Sequence, residues 1–246
     1  MIHFISDLHL SAQTLGVTNL FLDYLGSHAR DAEQLFILGD LFEAWPGDDS
    51  IDDPDDDFNR QIVNALHILS SAGIKLSIMH GNRDFLLGTE FAERTSCTLL
   101  PDAYVLSLPA WQFVLAHGDV QCTDDMDYQR FRAQVRSTEW RAAFLAKSLQ
   151  ERKAIAAALR QQSEDSKREK NRQAQYLMDL NPATTDDFLR ANGYATFIHG
   201  HTHQPARHDH MVDGIHVERW VLSDWHEDQG EILTWDGEQL KRKTLL

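Results

Sequence analysis

The sequence predicts an α/β fold, a sandwich of two β-sheets flanked by helices. Two features indicate it. Short apolar runs typical of buried strands alternate with segments of helical period, and a series of strand-like runs closes the chain. A third feature is a helix-rich stretch from about 124 to 192. We interpret residues 1–246 as a single domain with this stretch as a helical lid insertion, because a chain of this length can enclose one sizeable core.

The elements follow in order from their apolar spacing. Strands are predicted at 2–6, 35–38, 75–80, 103–108, 111–116 and 195–199. Helices are predicted at 18–30 and 58–72, and another after Gly88. The tail contains strand-like runs at 206–211, 214–223, 229–235 and 238–245, separated in two places by the turn pairs Asp213-Gly214 and Asp236-Gly237.

Composition narrows the class of protein. Hydrophobic content is 42% and charged content is 25%, which is typical of a globular chain. The formal net charge of −15 argues against a nucleic-acid partner. Cys97 and Cys122 have no paired spacing, which suits a reducing compartment. The N-terminus lacks the basic start of a signal peptide and no run of 18 apolar residues occurs, so we expect a cytoplasmic protein, attached at most to a membrane face.

Two stretches are unusual in charge. Seven aspartates fall within residues 48–57, which we interpret as a solvated, mobile loop rather than a calcium site, because EF-hand spacing is absent. Within 141–172, nine Lys and Arg accompany four Asp and Glu. This basic stretch also has apolar residues at helical spacing. It fits either a lid over the strand ends or an ordinary solvated helical hairpin.

Polar side chains with metal-binding chemistry follow five of the predicted strands. They are Asp7-x-His9, Asp40, Asn82, His117 and His201-x-His203. A spacing of two on an extended segment places both side chains on one face, so the seven donors are expected to converge above a sheet. Carboxylate, amide and imidazole donors without cysteine suit Mn²⁺, Fe²⁺, Zn²⁺ or Co²⁺.

Seven donors exceed the needs of one four-coordinate ion. They suit two ions that share a bridging carboxylate, and such ions stand roughly 3.5–4 Å apart in enzymes that displace phosphoryl groups. A hydroxide that bridges them is a nucleophile available at neutral pH. Asp40, beside the break at Gly39, stands at the centre of this prediction.

The ordered set resembles the calcineurin-like metallophosphoesterase superfamily, whose motifs match Gly39-Asp40, Gly81-Asn82, His117-Gly118 and the His-x-His pair. The resemblance implies one metal held by Asp7, His9, Asp40 and His203. It implies a second metal held by Asp40, Asn82, His117 and His201, with Asp40 as the bridge.

A narrower resemblance is carried by residues 39–49, 80–88, 117–125 and 198–203, and it extends over essentially the whole chain. These stretches resemble the UDP-2,3-diacylglucosamine diphosphatases of lipid A biosynthesis. The resemblance implies cleavage of a UDP-linked diacyl sugar lipid to UMP and 2,3-diacylglucosamine 1-phosphate, by attack of a metal-bridging hydroxide. It implies two Mn²⁺ per subunit and a location on the cytosolic face of the inner membrane. No protein partner is evident.

Arg83 stands where many superfamily members have a histidine that protonates an alkoxide. A diphosphate expels a phosphate monoester, so a guanidinium that binds phosphate oxygens is more useful than an acid. The catalytic residues expected are therefore Asp40, Asn82 and Arg83. An ion pair between Arg83 and Asp84 is the structural alternative.

The resemblance also implies substrate contacts. It assigns them to Asn82, Arg83, Asp125, Ser166 and His201. Lys170 and Gln173 stand where the family usually has asparagine and lysine, so this chain departs from the pattern there.

The lid insertion is expected to receive the acyl chains while its basic residues face anionic lipid. Charge reversal at Arg152 and Lys153 is then expected to weaken vesicle binding. Two alternatives stay open at this point. One is a related dinuclear-metal phosphodiesterase or pyrophosphatase with another nucleotide substrate, and the other is a non-catalytic scaffold.

Overall fold

The computed structural model describes residues 1–170 and 179–245 and contains two β-sheets packed face to face. The first sheet has the strand order β11-β10-β1-β2-β3-β4. Its strands are β1 (Ile2–Ile5), β2 (Gln34–Leu38), β3 (Lys75–Met79), β4 (Thr98–Leu100), β10 (Gly230–Trp235) and β11 (Leu240–Leu245). Strands β1 to β4 are parallel, so their carboxyl ends meet at one edge.

The second sheet has five strands in the order β5-β6-β7-β9-β8. They are β5 (Tyr104–Ser107), β6 (Gln112–Leu115), β7 (Thr196–His199), β8 (Ala206–Val212) and β9 (Ile215–Val221). Strands β6, β7 and β9 run parallel, so their carboxyl ends also share one edge. The donors predicted after β1, β2, β3, β6 and β7 therefore lie at corresponding edges of the two sheets.

Helices cover the outer faces and fill the long connection between β6 and β7. They are α1 (Leu15–Gly26), α2 (Phe58–Ser71), α3 (Thr89–Thr95), α4 (Met126–Val135), α5 (Thr138–Leu145), α6 (Leu149–Lys170) and α7 (Pro182–Ala191). Helix α2 buries Ile62, Leu66 and Leu69, the apolar face that its spacing predicts. Asn181 caps α7 by accepting a hydrogen bond from the Thr184 amide, and Pro182 follows at the first helical position.

Three apolar clusters hold the layers together. The cluster between the sheets includes Phe4, Phe36 and Phe113, and Phe4 stacks on Phe36 at a ring distance of 5.4 Å. Strand β2 has the continuous apolar run expected of a strand buried on both faces, whereas buried His3 interrupts the run in β1. The predicted α/β sandwich and the four closing strands are confirmed. The described part of the chain also contains β4, a strand that the sequence did not predict.

The acidic run at 48–57 is more ordered in its first half than its composition suggests, while Asp49, Asp52 and Asp57 are solvated as expected. A 3₁₀ turn spans Asp48–Asp52. Asp48 accepts hydrogen bonds from the amides of Gly88 and Phe91 at the start of α3, and from the Trp45 indole. Because Gly88 and Phe91 lie about forty residues away in sequence, charge density along the chain could not identify them as partners.

Among the described helices, none is both long enough and apolar enough to cross a membrane.

Candidate metal centre

The donor residues lie on tight turns just beyond the strand ends. Five non-glycine residues have a left-handed backbone there, with φ between 49° and 68°: Asp7, His9, Asp40, His201 and His203. The expectation that Asp7-x-His9 and His201-x-His203 share the face of an extended segment is therefore wrong. The side chains converge because left-handed turns redirect them, and each such residue is held at a cost of order 1 kcal/mol.

Glycines allow these turns to approach one another. A Cβ on Gly81 would stand 2.1 Å from Asp40 Oδ1, and one on Gly200 would stand 2.2 Å from Asp7 Oδ2. Gly39 has φ +92° and faces the His117 ring. The backbone amide of Asp7 donates to the carbonyl of Gly39, so the first two turns are also joined by a hydrogen bond of 3.2 Å.

One group of donors contains Asp7, His9 and His203. The Nε2 atoms of His9 and His203 lie 3.3 Å apart, and His203 Nε2 lies 3.4 Å from Asp7 Oδ1. His9 Nε2 also lies 3.8 Å from Asp40 Oδ2. Asp40 thus borders this group, as a bridging carboxylate should.

The second group contains Asp40, Asn82, His117 and His201. Asn82 Oδ1 lies 3.0 Å from His117 Nε2 and 2.9 Å from His201 Nδ1, and His117 Nε2 lies 3.7 Å from Asp40 Oδ2. The structure thus brings together all seven donors predicted from the sequence.

The arrangement fits divalent metal ions. Two donors bound to one ion at about 2.1 Å each stand roughly 3–3.5 Å from one another, which is the spacing found here. Asp7 Oδ1 is buried and accepts no hydrogen bond from the described residues, so a cation would satisfy an otherwise unpaired acceptor. Asp7 can also be grouped with Asp40 and His117 as a second possible set of metal ligands.

Acceptors outside the centre orient three of the histidines. His9 Nδ1 faces Glu43 Oε2 at 3.1 Å, and His203 Nδ1 faces Asp224 Oδ2 at 3.1 Å. His117 Nδ1 lies 2.9 Å from the carbonyl oxygen of Leu38. Because each Nδ1 faces an outward acceptor, each ring presents the lone pair of Nε2 to the centre when it is neutral.

Two of these orienting residues were missed by sequence reasoning. Glu43 was noted only as part of a matched motif. Asp224 follows β9 and forms an Asp-x-His pair with His226, the same spacing as in Asp7-x-His9, which the sequence prediction left out. An acidic residue at yet another strand end was the signal that could have found it.

Burial and neighbouring carboxylates act in opposite directions on the histidine pKa values. Burial lowers the pKa of His117, but Asp40, Asp7 and Asp119 together raise it to about 9. Burial also lowers the pKa of His203, but the adjacent carboxylates of Asp224 and Asp7 raise it to about 10. The metal-free centre therefore holds protons where a metal would bind, and metal uptake should release them.

Glu43 and His201 have shifted pKa values for different reasons. Burial raises the pKa of Glu43, but the His9 hydrogen bond and the charges of Arg83 and Arg160 bring it below its usual value. Burial, with the His117 charge, lowers the pKa of His201 to about 4. His201 is therefore neutral at physiological pH and ready to act as a donor.

The comparisons with known proteins agree with this geometry. Residues 1–205 match the family model for calcineurin-like phosphoesterases. The chain belongs to the calcineurin-like phosphoesterase family. The predicted fold and the prediction of a metal-dependent hydrolase are both confirmed by this membership.

Named relatives within the family are similar along nearly their whole length. A UDP-2,3-diacylglucosamine hydrolase from Aromatoleum aromaticum is 46% identical over 95% of this chain and 92% of that protein. Another from Chromohalobacter salexigens is 45% identical over 92% of this chain and 89% of that protein. The narrower resemblance seen in the motifs is thereby confirmed.

Arg83 lies at the edge of the centre in this family member. Its backbone amide donates to Asp40 Oδ1 at 2.8 Å, and its guanidinium NH1 lies 3.6 Å from Glu43 Oε1. Asp84, the alternative partner considered for Arg83, accepts hydrogen bonds from the amides of Gly81 and Leu41, each at 2.8 Å. Asp84 thus ties the second and third turns together.

A cavity of about 400 Å³ lies over the donors. Its polar floor includes Asp40, Asn82, Arg83, His201 and His203. The facing wall is apolar and comes mainly from the insertion, through Phe131, Trp140, Phe144, Ala156 and Leu159. Side chains of the insertion and donors from the strand ends therefore line the same cavity.

Four of the residues expected to contact substrate belong to the insertion. Asp125 lines the cavity and caps α4, with Oδ1 accepting from the Tyr128 amide at 3.1 Å. Gln173 lies outside the described residues, as do the side chains of Ser166 and Lys170.

Arg152 and Lys153, the two residues of α6 expected to face lipid, have acidic partners within the protein. The side chain of Arg152 is 4% exposed and forms a paired contact with the Asp49 carboxylate. Lys153 pairs with Asp53 and Asp56. The interpretation of Arg152 as a lipid-facing residue is wrong, because the acidic run supplies partners for both cations.

Proposed function

We propose that this protein hydrolyses the diphosphate of UDP-2,3-diacylglucosamine, giving UMP and 2,3-diacylglucosamine 1-phosphate. The observation that carries the proposal is the cavity, which is lined both by five of the seven metal-type donors and by apolar side chains of the insertion. A substrate with a diphosphate and two acyl chains requires both kinds of surface. Relatives with this named activity match the chain over nearly its full length.

Two divalent ions, with Mn²⁺ as the proposed metal, would be held by the seven donors. One ion would take Asp7, His9, Asp40 and His203. The other would take Asp40, Asn82, His117 and His201. When bound, the ions supply Lewis-acid activation of water and of the phosphoryl oxygens.

The protein's own groups bind and orient the diphosphate. Arg83 places a guanidinium beside the floor of the cavity, where it would bind phosphate oxygens and neutralise charge that develops in the transition state. The leaving group is a phosphate monoester, which departs without a proton from an acid. We propose attack at the phosphorus nearer uridine, which makes the sugar phosphate the leaving group. Asp125 and His201 would contact the substrate at the cavity wall.

The apolar wall of the cavity would receive the acyl chains. Such a substrate resides in a bilayer, so we propose that the protein binds peripherally to the cytosolic face of the inner membrane. Exposed Leu145 and Lys147, at the end of α5, offer an apolar and a cationic group for this contact. A net charge of −15 argues against nucleic acid as the substrate.

The direct test is hydrolysis of UDP-2,3-diacylglucosamine in ¹⁸O-labelled water with Mn²⁺. Label in UMP supports the proposed attack, whereas label in the sugar phosphate reverses it. The matched control substrate is UDP-glucosamine without acyl chains, which should turn over much more slowly. Equal turnover of the two substrates, or faster turnover of a chromogenic phosphodiester, would instead favour a related phosphodiesterase or pyrophosphatase.

A further inference from the structure

We propose that Glu43 is a positioning residue that joins the metal centre to two arginines at the cavity. Its two oxygens face different partners. Oε2 lies 3.1 Å from His9 Nδ1, whereas Oε1 lies 3.1 Å from Arg160 Nε and 3.6 Å from Arg83 NH1. The inference rests on the proposed function, since it takes the seven donors as a metal centre.

On the metal side, Glu43 determines which nitrogen of His9 is available. A carboxylate can only accept a hydrogen bond, so the contact keeps the proton on His9 Nδ1. The lone pair of Nε2 then faces His203 Nε2 and Asp40 Oδ2, at 3.3 Å and 3.8 Å. Glu43 therefore holds both the tautomer and the ring orientation that metal binding needs.

On the other side, Glu43 lies between two guanidinium groups. Arg83 comes from the turn after β3, whereas Arg160 comes from helix α6 of the insertion. The negative charge between them reduces their mutual repulsion and lets both cations stand beside the metal donors. The side chains of Glu43 and Arg83 are 11% and 10% exposed, so water screens their interaction little, whereas Arg160 is 45% exposed and its interaction is screened more.

A single carboxylate both accepts a hydrogen bond from His9 and offsets the charge of two guanidinium groups, and no neutral side chain can do both. A glutamine could turn its oxygen toward His9, but its amide protons would then face the guanidinium groups. Turned the other way, the amide would donate to His9 Nδ1 and place the proton on Nε2. In either orientation of the amide one of the two interactions is lost, so we infer that Glu43 couples metal binding to the placement of the insertion.

Asp224 provides a matched control. Like Glu43, it is an acidic residue that accepts a hydrogen bond from a histidine ligand of the same proposed metal ion. That histidine is His203, whose Nδ1 lies 3.1 Å from Asp224 Oδ2. Its other described ion-pair partner is His226, at 3.2 Å, and not a residue of the insertion. Substituting Asp224 should therefore affect the metal without affecting α6.

The experiment compares Glu43→Gln and Asp224→Asn with the wild type. Titration with Mn²⁺, followed by the electron paramagnetic resonance signal of the free ion, measures both binding steps. In each variant we expect one Mn²⁺ to bind about 10–100-fold more weakly, and the other to change by less than about threefold. Amide hydrogen exchange over 149–160 should be faster in Glu43→Gln and unchanged in Asp224→Asn.

Each other outcome has a definite meaning. If Glu43→Gln binds both ions as the wild type does, the metal side of the inference is overturned. If amide hydrogen exchange over 149–160 is equally fast in the two variants, the inferred link between Glu43 and Arg160 is overturned. If the wild type binds no Mn²⁺, the proposed function fails as well, so the two failures are distinguishable. If Glu43→Gln does not fold, Glu43→Asp takes its place, because it keeps the charge on a shorter side chain. If Glu43→Asp changes neither Mn²⁺ binding nor amide hydrogen exchange over 149–160, the proposal is refuted.

Discussion

Arg152 is expected to be a main tether between the insertion and the body of the protein. Its guanidinium donates to the Pro46 carbonyl at 2.6 Å and to Asp49 Oδ1 at 2.8 Å. It also packs over Gly47, where an added Cβ would stand 2.4 Å from the guanidinium NH1. Arg152→Met keeps the apolar stem and removes every one of these hydrogen bonds.

The expected loss in the free energy of unfolding follows from the polar groups that lose Arg152 as a partner. The Pro46 carbonyl loses a buried donor, which costs about 1–3 kcal/mol. Asp49 loses its cation, but its side chain is 57% exposed, so water offsets most of that loss and leaves about 0.5–1 kcal/mol. We therefore expect the free energy of unfolding to fall by about 1.5–4 kcal/mol.

The assay is urea unfolding of the metal-free protein, followed by far-ultraviolet circular dichroism. Lys153→Met is the matched control, because the Lys153 side chain is 38% exposed against 4% for Arg152, and its ion pairs should contribute less than about 1 kcal/mol. Equal losses in the two variants, or a loss below about 1 kcal/mol for Arg152→Met, would refute the reasoning.

Three further predictions concern the centre and its surroundings. Asp40→Asn should lower kcat by at least about 10²–10³ while the far-ultraviolet spectrum stays unchanged, and near-normal turnover would remove Asp40 from the centre. Gly81→Ala should weaken Mn²⁺ binding, since its Cβ would stand 2.1 Å from Asp40 Oδ1, whereas Gly26→Ala, with open space around it, should bind Mn²⁺ normally. Burial, with the charges of Lys243 and the N-terminus, lowers the pKa of His3 from 6.5 to about 4, so the folded state favours neutral His3. The resulting stability is fully present above pH 6.5 and is lost as pH falls toward 4. In urea unfolding, the free energy of unfolding of His3→Gln should fall between pH 6.5 and pH 4 by up to about 3 kcal/mol less than that of the wild type. Parallel plots of the free energy of unfolding against pH for the two proteins would contradict this.

The sequence was sufficient to locate the strands that carry the site and the donors that follow them. Buried parallel strands leave continuous apolar runs, as in Leu35–Leu38, and a glycine with a polar residue marks the point where such a run stops. Five such endings in one chain identified all seven donors. The regularity exists because parallel strands bring their carboxyl ends to a common edge.

Other parts of the site could not be predicted because they depend on partners distant in sequence. The ion pair of Arg152 joins residues 103 positions apart, and neither stretch alone indicates it. The left-handed turns at Asp7 and His203 were missed for a related reason. A local preference for extended structure is overcome there by contacts that form only in the folded chain, such as the bond from the His201 amide to Asp7 Oδ2 at 2.9 Å.

The left-handed turns have a consequence for how this protein can evolve. Glycine is the residue that each of these backbone positions accepts most easily, so a change to glycine would relieve strain. The same change would delete a donor from the centre. Selection for stability alone should therefore favour substitutions at Asp7, His9 and Asp40 that abolish metal binding. A library of this protein screened for thermal resistance without an activity screen should accumulate inactive variants at these positions.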